Sequence, residues 1–391
     1  MSDPEPTPAH RITTRRREGE QVTPLELFFD LAFVLAVTQC TTLMAEHPSW
    51  RSLAQGLLVL GVLWWAWVGY AWLTSVVDPE AGLVRLVAFV AMAAFLVAAL
   101  CVPEAFGGLA LTLAVAYGLV RAAHIALFVI ASQDDPNLRS SVTSLGISTT
   151  IGVSLLVGAA FADGPVQGAL WAVALLLDIG GPFLFGAAGW KLAPAHFAER
   201  HGLVVLIALG ESIVALGVGS EVGVTGPVIA TAVVGVSLAA AMWWSYFDVG
   251  SVMAANALAA LPAGQQQNEM ARDGYSLLHF PIVAGIVLLA LGTEHTLAHV
   301  SAPLDDVAAA ALVGGVGLFL AGQIAFKYRI VRLLSRQRVV ALALVAALYP
   351  VALAVPAWAA LTIVAAVMWA LIAYEVVHYA DVRAEVRHPG P

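Results

Sequence analysis

Charge is what this chain lacks most. Asp, Glu, Lys and Arg fill 11% of its 391 positions, against about 25% in an average soluble domain. Hydrophobic residues fill 60%, and the mean hydropathy is +0.87. Such a composition excludes an ordinary water-soluble fold and identifies an integral membrane protein. Cysteine is nearly absent. Cys40 and Cys101 are the only two, too few for a disulfide framework or a cysteine-based zinc site, and both read as small core residues. No P-loop pattern occurs, and no soluble segment is large enough for an ATPase or kinase, which argues against primary active transport by this chain alone. No basic face carries interleaved aromatics on a soluble domain, so no nucleic-acid partner is expected. The first two dozen residues are polar, with Arg11 and Arg15 to Arg17, and lack the apolar core of a cleavable signal peptide. The first span is therefore read as a retained insertion signal.

What is present is a series of apolar runs long enough to cross a hydrocarbon core. They read as residues 24–46, 51–75, 84–103, 109–132, 141–162, 166–190, 201–219, 224–247, 276–298, 306–326, 339–355 and 357–379. The expected fold is all-α, a polytopic membrane bundle of about twelve helices. Pro350 and Pro356 make the last two boundaries ambiguous, and a kinked single span there gives eleven. Turn chemistry marks the breaks, as at Asp134-Asp135-Pro136-Asn137 and Asp163-Gly164-Pro165. Residues 1–23 form a tail, 24–190 a first six-helix half and 191–379 a second. A polar linker is expected near 250–274, and 380–391 is a C-terminal tail. Placing both termini in the cytoplasm puts Arg85, Arg139, Lys191, Arg272, Lys327, Arg329, Arg336 and Arg383, among others, on the inner side. Only Arg51 then lies outside, as the positive-inside rule requires.

A weak internal repeat supports the division. Glu26 and Thr38-Gln39 in span one match Glu199 and Glu211-Ser212 around span seven. Trp64-Trp65, Tyr70 and Asp78 match Trp243-Trp244, Tyr246 and Asp248. Six spans per half leave both halves in one orientation, related by an axis along the membrane normal.

The few intramembrane charges are the candidate functional groups, because a charge at the bilayer centre costs at least about 2.5 kcal/mol. Glu26 and Asp30 share a helix face. The helix dipole explains Glu26 at the helix start, but Asp30, a turn deeper among Phe28, Phe29 and Phe33, calls for a cation or basic partner. Thr38 and Gln39 continue that polar stripe. Glu199 and Arg200 read as a helix-start acid and an interfacial cation. Glu211, about three turns inside its span, is protonated, meets Arg121 or faces water, and Gly210 beside it admits a neighbouring backbone. Arg121 shares a face with His124. It is neutralised by Asp178 or Glu211 as a lock between helices, or the same groups form a coupling switch. His295 and His299 have metal-ligand spacing without a third ligand, and interfacial polarity explains them equally well. The Trp64-Trp65-Ala66-Trp67 and Trp243-Trp244 clusters read as packing or interface-belt residues, with ligand stacking as the alternative.

The segments PLELFFDLAFVLAVTQ and ERHGLVVLIALGES resemble the low temperature requirement A family of bacterial membrane proteins, and the hydrophobic map follows that family over roughly residues 10–380. The resemblance implies a multi-pass protein of the bacterial cytoplasmic membrane, linked by name to growth in the cold. It marks Glu26, Phe29, Asp30, Thr38, Gln39, Glu199, Arg200, Gly210, Glu211 and Ser212 without giving any of them a role.

A secondary transporter, or a path for an ion, a proton or a small molecule, fits these features, with the lipid bilayer as surroundings and no cofactor. The loop VVDPEAGLVR lacks the basic motif of the major facilitator type. An intramembrane enzyme acting on a lipid or isoprenoid carrier would draw on Glu26, Asp30, Asp248 and Glu375, but no catalytic order binds them. A non-transporting stress protein is the third possibility. The reading favours Glu211 as the functional carboxylate and Arg121 as its partner. Substrate and oligomeric state are open.

Overall fold

In hydrocarbon each backbone amide must find its acceptor within its own segment, and the helix meets that demand locally. The structure, a computed structural model, describes residues 21–80, 82–184, 189–220 and 223–387. Nearly all of the predicted N-terminal tail, with its arginines, lies outside them. Among the described residues the regular structure is helical, apart from one isolated bridge between Pro303 and Pro356.

The first six long helices are α1 (Pro24–Glu46), α2 (Trp50–Thr74), α3 (Gly82–Leu100), α4 (Ala110–Ala131), α5 (Pro136–Ala159) and α6 (Gly164–Leu184). Their starts carry the expected signals. Thr23 and Glu26 form a capping box on α1, and Asp135 caps α5 by accepting the Leu138 N–H. That hydrogen bond, with Lys191 beside it, holds the Asp135 carboxyl below its usual range. Next come α7 (Pro194–Gly219) and α8 (Gly226–Phe247).

The predicted linker at 250–274 is mostly helical. Here α9 (Gly250–Ala259) prolongs α8. Across a turn at 260–264, α10 (Gln265–Met270) and a π turn (Ala271–Leu277) lead into α11 (His279–Ala298). Each composite helix runs for 34 residues, about 51 Å at 1.5 Å per residue and well beyond a 30 Å hydrocarbon core. The polar residues that suggest a linker therefore belong to helix ends outside the apolar layer, where Gln267 and Asn268 pack buried.

The remaining helices are α12 (Asp306–Val331), α13 (Arg336–Ala347), α14 (Tyr349–Ala352), α15 (Ala357–His378) and α16 (Ala380–Arg387). Eleven helices among the described residues are long and apolar enough to cross a membrane. The expected span at 339–355 is the exception, because α13 and α14 are separated at Leu348, two residues before a proline that has no N–H to donate. The broken pair still carries the chain from one end of the bundle to the other. Arg338 meets Glu375 at its start, and Ala357 and Trp358 donate to the Ala302 and Val300 carbonyls just beyond its end. The pair runs the length of the bundle but is not one of the eleven helices long and apolar enough to cross a membrane.

Two packing features set the site. α1 turns Leu27, Phe28 and Leu31 outward, while Glu26, Phe29, Asp30 and Phe33 are buried. The acids thus face the bundle and the apolar residues face lipid, the reverse of a soluble helix. α11 and α12 pack backbone to backbone: a Cβ on Gly285 would stand 2.5 Å from the Phe319 nitrogen, and one on Gly315 2.6 Å from the Leu289 nitrogen. Small residues at such contacts hold membrane helices together by close packing. Gly210 plays no such part. It is exposed, with open space where a side chain would stand.

Candidate functional site

A polar seam runs between α1 and α7. Glu26 and Asp30 on α1 are four residues apart, as are His196 and Arg200 on α7, so each pair projects from one face. His196 Nε2 lies 2.8 Å from Glu26 Oε1, and Arg200 reaches Glu26 at 3.2 Å and Asp30 at 2.7 Å. All four side chains are essentially inaccessible to solvent. α2 completes the cluster: Trp67 donates its indole N–H to Asp30 Oδ1 at 2.8 Å, and Thr74 accepts from Arg200 at 3.1 Å. The expected basic partner of Asp30 is therefore Arg200. It is no interfacial anchor but a buried cation shared by two acids. Among the described residues the second carboxylate oxygen of Asp30 and the Nε of Arg200 have no hydrogen-bond partner.

Twelve residues past Glu26 on α1, Thr38 donates to Glu211 Oε2 at 2.5 Å. Between this contact and the ionic cluster stands an apolar layer that includes Val37, Val204, Val205 and Ala208, all buried or fully buried. Glu211 is 4% exposed and makes no salt bridge among the described residues. Its expected partner, Arg121, is elsewhere: Arg121 Nη2 meets Asp178 at 2.9 Å and the Thr149 hydroxyl at 2.7 Å, while Nη1 donates to the Trp65 carbonyl at 3.3 Å. Asp178 also accepts from Thr149 at 2.9 Å and Tyr117 at 3.0 Å. α4, α5 and α6 are consecutive, with α5 packed on both neighbours, so this pairing closes among α2 and α4 to α6 and leaves Glu211 to the α1–α7 seam.

The other predicted residues separate. Ser212 is buried and donates to the Leu209 carbonyl of its own helix. Gln39 is half-buried and stands outside these networks. Glu199 is exposed and accepts from the Val22 N–H. His124 is buried against Tyr70 and Phe128, beside Arg121 along a small cavity. His295 is half-buried and His299 exposed, and no group of three potential metal ligands forms among the described residues. The four acids considered for an intramembrane enzyme do not converge. Glu26 and Asp30 share Arg200, Asp248 pairs with Arg383, and Glu375 with Arg338.

Sequence reasoning missed a buried aromatic and histidine cluster beside the seam. His201 packs edge-on to Trp67 at 5.1 Å and 5.3 Å from His279, which shares a 2.7 Å hydrogen bond with Tyr246 and stacks on Tyr275. The signal was the spacing of His196, Arg200 and His201 against Glu26 and Asp30.

A family model described as bacterial low temperature requirement A protein matches residues 21–373. An uncharacterized protein of Rhizobium meliloti (strain 1021) is 32% identical over 337 residues, covering 82% of this chain and 81% of that protein. No solved structure matches.

Proposed function

The chain belongs to the bacterial low temperature requirement A family, and from that premise we propose that it is a secondary transporter or a proton- or ion-coupled pathway. Its setting in this reading is the bacterial cytoplasmic membrane, with both termini in the cytoplasm. The contact that carries the proposal is Glu211 with Thr38. An acid withdrawn from water without a counter-cation bears a charge whose cost is removed by binding a proton or a cation. Glu211 stands on such terms where the first helices of the two halves meet, the place where repeat-built transporters bind their cargo.

Two further observations support the reading. Among the described residues Asp30 leaves one buried oxygen without a partner beside Arg200, so the ionic cluster below Glu211 has room to accept a proton. A likeness between the two proposed halves also supports the reading, although its arginines stand on different spans, the fourth and the fifth. In each, a guanidinium donates to a carbonyl in or just after the Trp pair of the second helix, Arg121 to Trp65 and Arg338 to Ser245. Each guanidinium then pairs with an acid on that half's last spanning helix, Asp178 or Glu375. The family name adds growth in the cold as the physiological setting.

The test is flux in liposomes reconstituted with the purified protein, following internal pH and ion content. Glu211→Gln abolishes flux under this reading, and Thr38→Val reduces it about tenfold by removing the hydroxyl that orients the acid. No flux of any ion or proton in the native protein, or undiminished flux in Glu211→Gln, overturns it.

A further inference from the structure

A cavity of about 340 Å³ lies where α8, α12, α13 and α15 converge, at the small end of ligand pockets, which span roughly 300–1,000 Å³. Most of the charge on its walls is already answered. Arg338 grips the Glu375 carboxylate through Nε at 2.8 Å and Nη2 at 2.9 Å and donates to Gln323 through Nη1. Arg383 pairs with Asp248 at 2.8 Å. Lys327 also lines the cavity but makes no salt bridge among the described residues. Three cations against two acids leave one positive charge.

The other unanswered groups are hydrogen-bond donors. Trp244 lines the cavity, and its buried indole N–H has no acceptor among the described residues. Ser335 stands at the N-cap of the twelve-residue α13. It is 5% exposed, yet among the described residues its hydroxyl has no hydrogen-bond partner and makes no cap. The first amides of a helix have no acceptor within it, and the dipole there favours an anion. Lys327, Trp244, Ser335 and the start of α13 therefore line one space, and an acceptor carrying a single negative charge answers their unmatched donors. The rest of the wall is apolar, including Phe326, Ile330 and Leu334.

We infer that this cavity binds an amphiphilic monoanion, with a carboxylate or phosphodiester head at Lys327, Ser335 and Trp244 and an alkyl portion along the apolar wall. The site stands apart from Glu211 and does not depend on the flux proposed there. Such a ligand is either a lipid of the surrounding bilayer or a soluble organic acid.

Radiolabelled octanoate, titrated onto the full chain in phosphatidylcholine nanodiscs, tests the inference. Saturable binding at one site is expected, with octylammonium failing to compete. Lys327→Gln raises the dissociation constant about tenfold, the loss of one charge-assisted contact, and Lys327→Arg retains binding. Trp244→Phe, which keeps the ring and removes only the N–H, weakens binding and serves as the second variant should Lys327→Gln misfold. Loss of octanoate binding in phosphatidylglycerol nanodiscs supports the site with a lipid as occupant, and unchanged binding there supports it with a soluble acid. Non-saturable binding, competition by octylammonium or native affinity in a folded Lys327→Gln protein overturns it.

Discussion

Buried charge in this bundle takes two forms at the scale of single residues. Arg121 and Asp178 are a closed pair, with Thr149, Tyr117 and the Trp65 carbonyl filling most of their hydrogen-bonding capacity. Removing one partner strands the other, which costs about 3–5 kcal/mol, whereas replacing both by apolar groups of similar volume is often neutral. Arg121→Met alone and Asp178→Leu alone are therefore expected to lower the thermal midpoint in detergent sharply, with the double variant close to the native protein. An additive double variant would show that the pair is no lock. Glu211 is the contrasting case, an acid held by the Thr38 and Thr41 hydroxyls with no cation paired to it among the described residues. The sequence makes all these residues visible as charges in apolar runs, and the i, i+4 spacing shows which of them share a face. It does not show which cation finds which acid. Arg200 looks interfacial from its neighbours, yet tertiary packing takes it to 1% exposure between Glu26 and Asp30.

At the scale of elements, the helices are legible because hydrocarbon demands about 20 apolar residues per crossing, and turn residues punctuate them. Two readings differ for physical reasons. Polar composition at 250–274 suggests a linker, but a helix that leaves the apolar layer keeps its backbone bonds and simply changes its surface residues. Pro350 marks a boundary and proves to lie at a break in a helix pair that runs the length of the bundle. The tightest element contact, α11 on α12, is fixed by glycines whose role depends on which neighbour they meet. Gly285→Val forces a side chain against the α12 backbone, and overpacking of this kind costs about 1–3 kcal/mol. A lowered thermal midpoint is expected for Gly285→Val, with little change for Gly210→Val on the open face of α7. Equal behaviour of the two would contradict the packing.

At the scale of the whole molecule, alternating passes assign the connections to two ends, and the contacts agree with that assignment. Lys191 meets Asp135 at 3.2 Å across two connections of one end, and the bridge between Pro303 and Pro356 joins two connections of the other. The proposed orientation becomes testable because the native thiols are poor reporters: Cys40 is fully buried and Cys101 is 4% exposed, with burial pushing the Cys101 thiol up and reducing its thiolate. A membrane-impermeant maleimide should therefore label only cysteines that are introduced. With the N-terminus in the cytoplasm, intact cells label Pro48→Cys and Ser301→Cys, while Gly264→Cys and Leu333→Cys react only after the membrane is opened. The pattern across the four positions separates two questions. Complete reversal would invert the molecule without disturbing the bundle. A change of side between Ser301 and Leu333 alone would mean that α12 does not cross, and would remove the Lys327 cavity from the end of the bundle that holds Glu26 and Arg200.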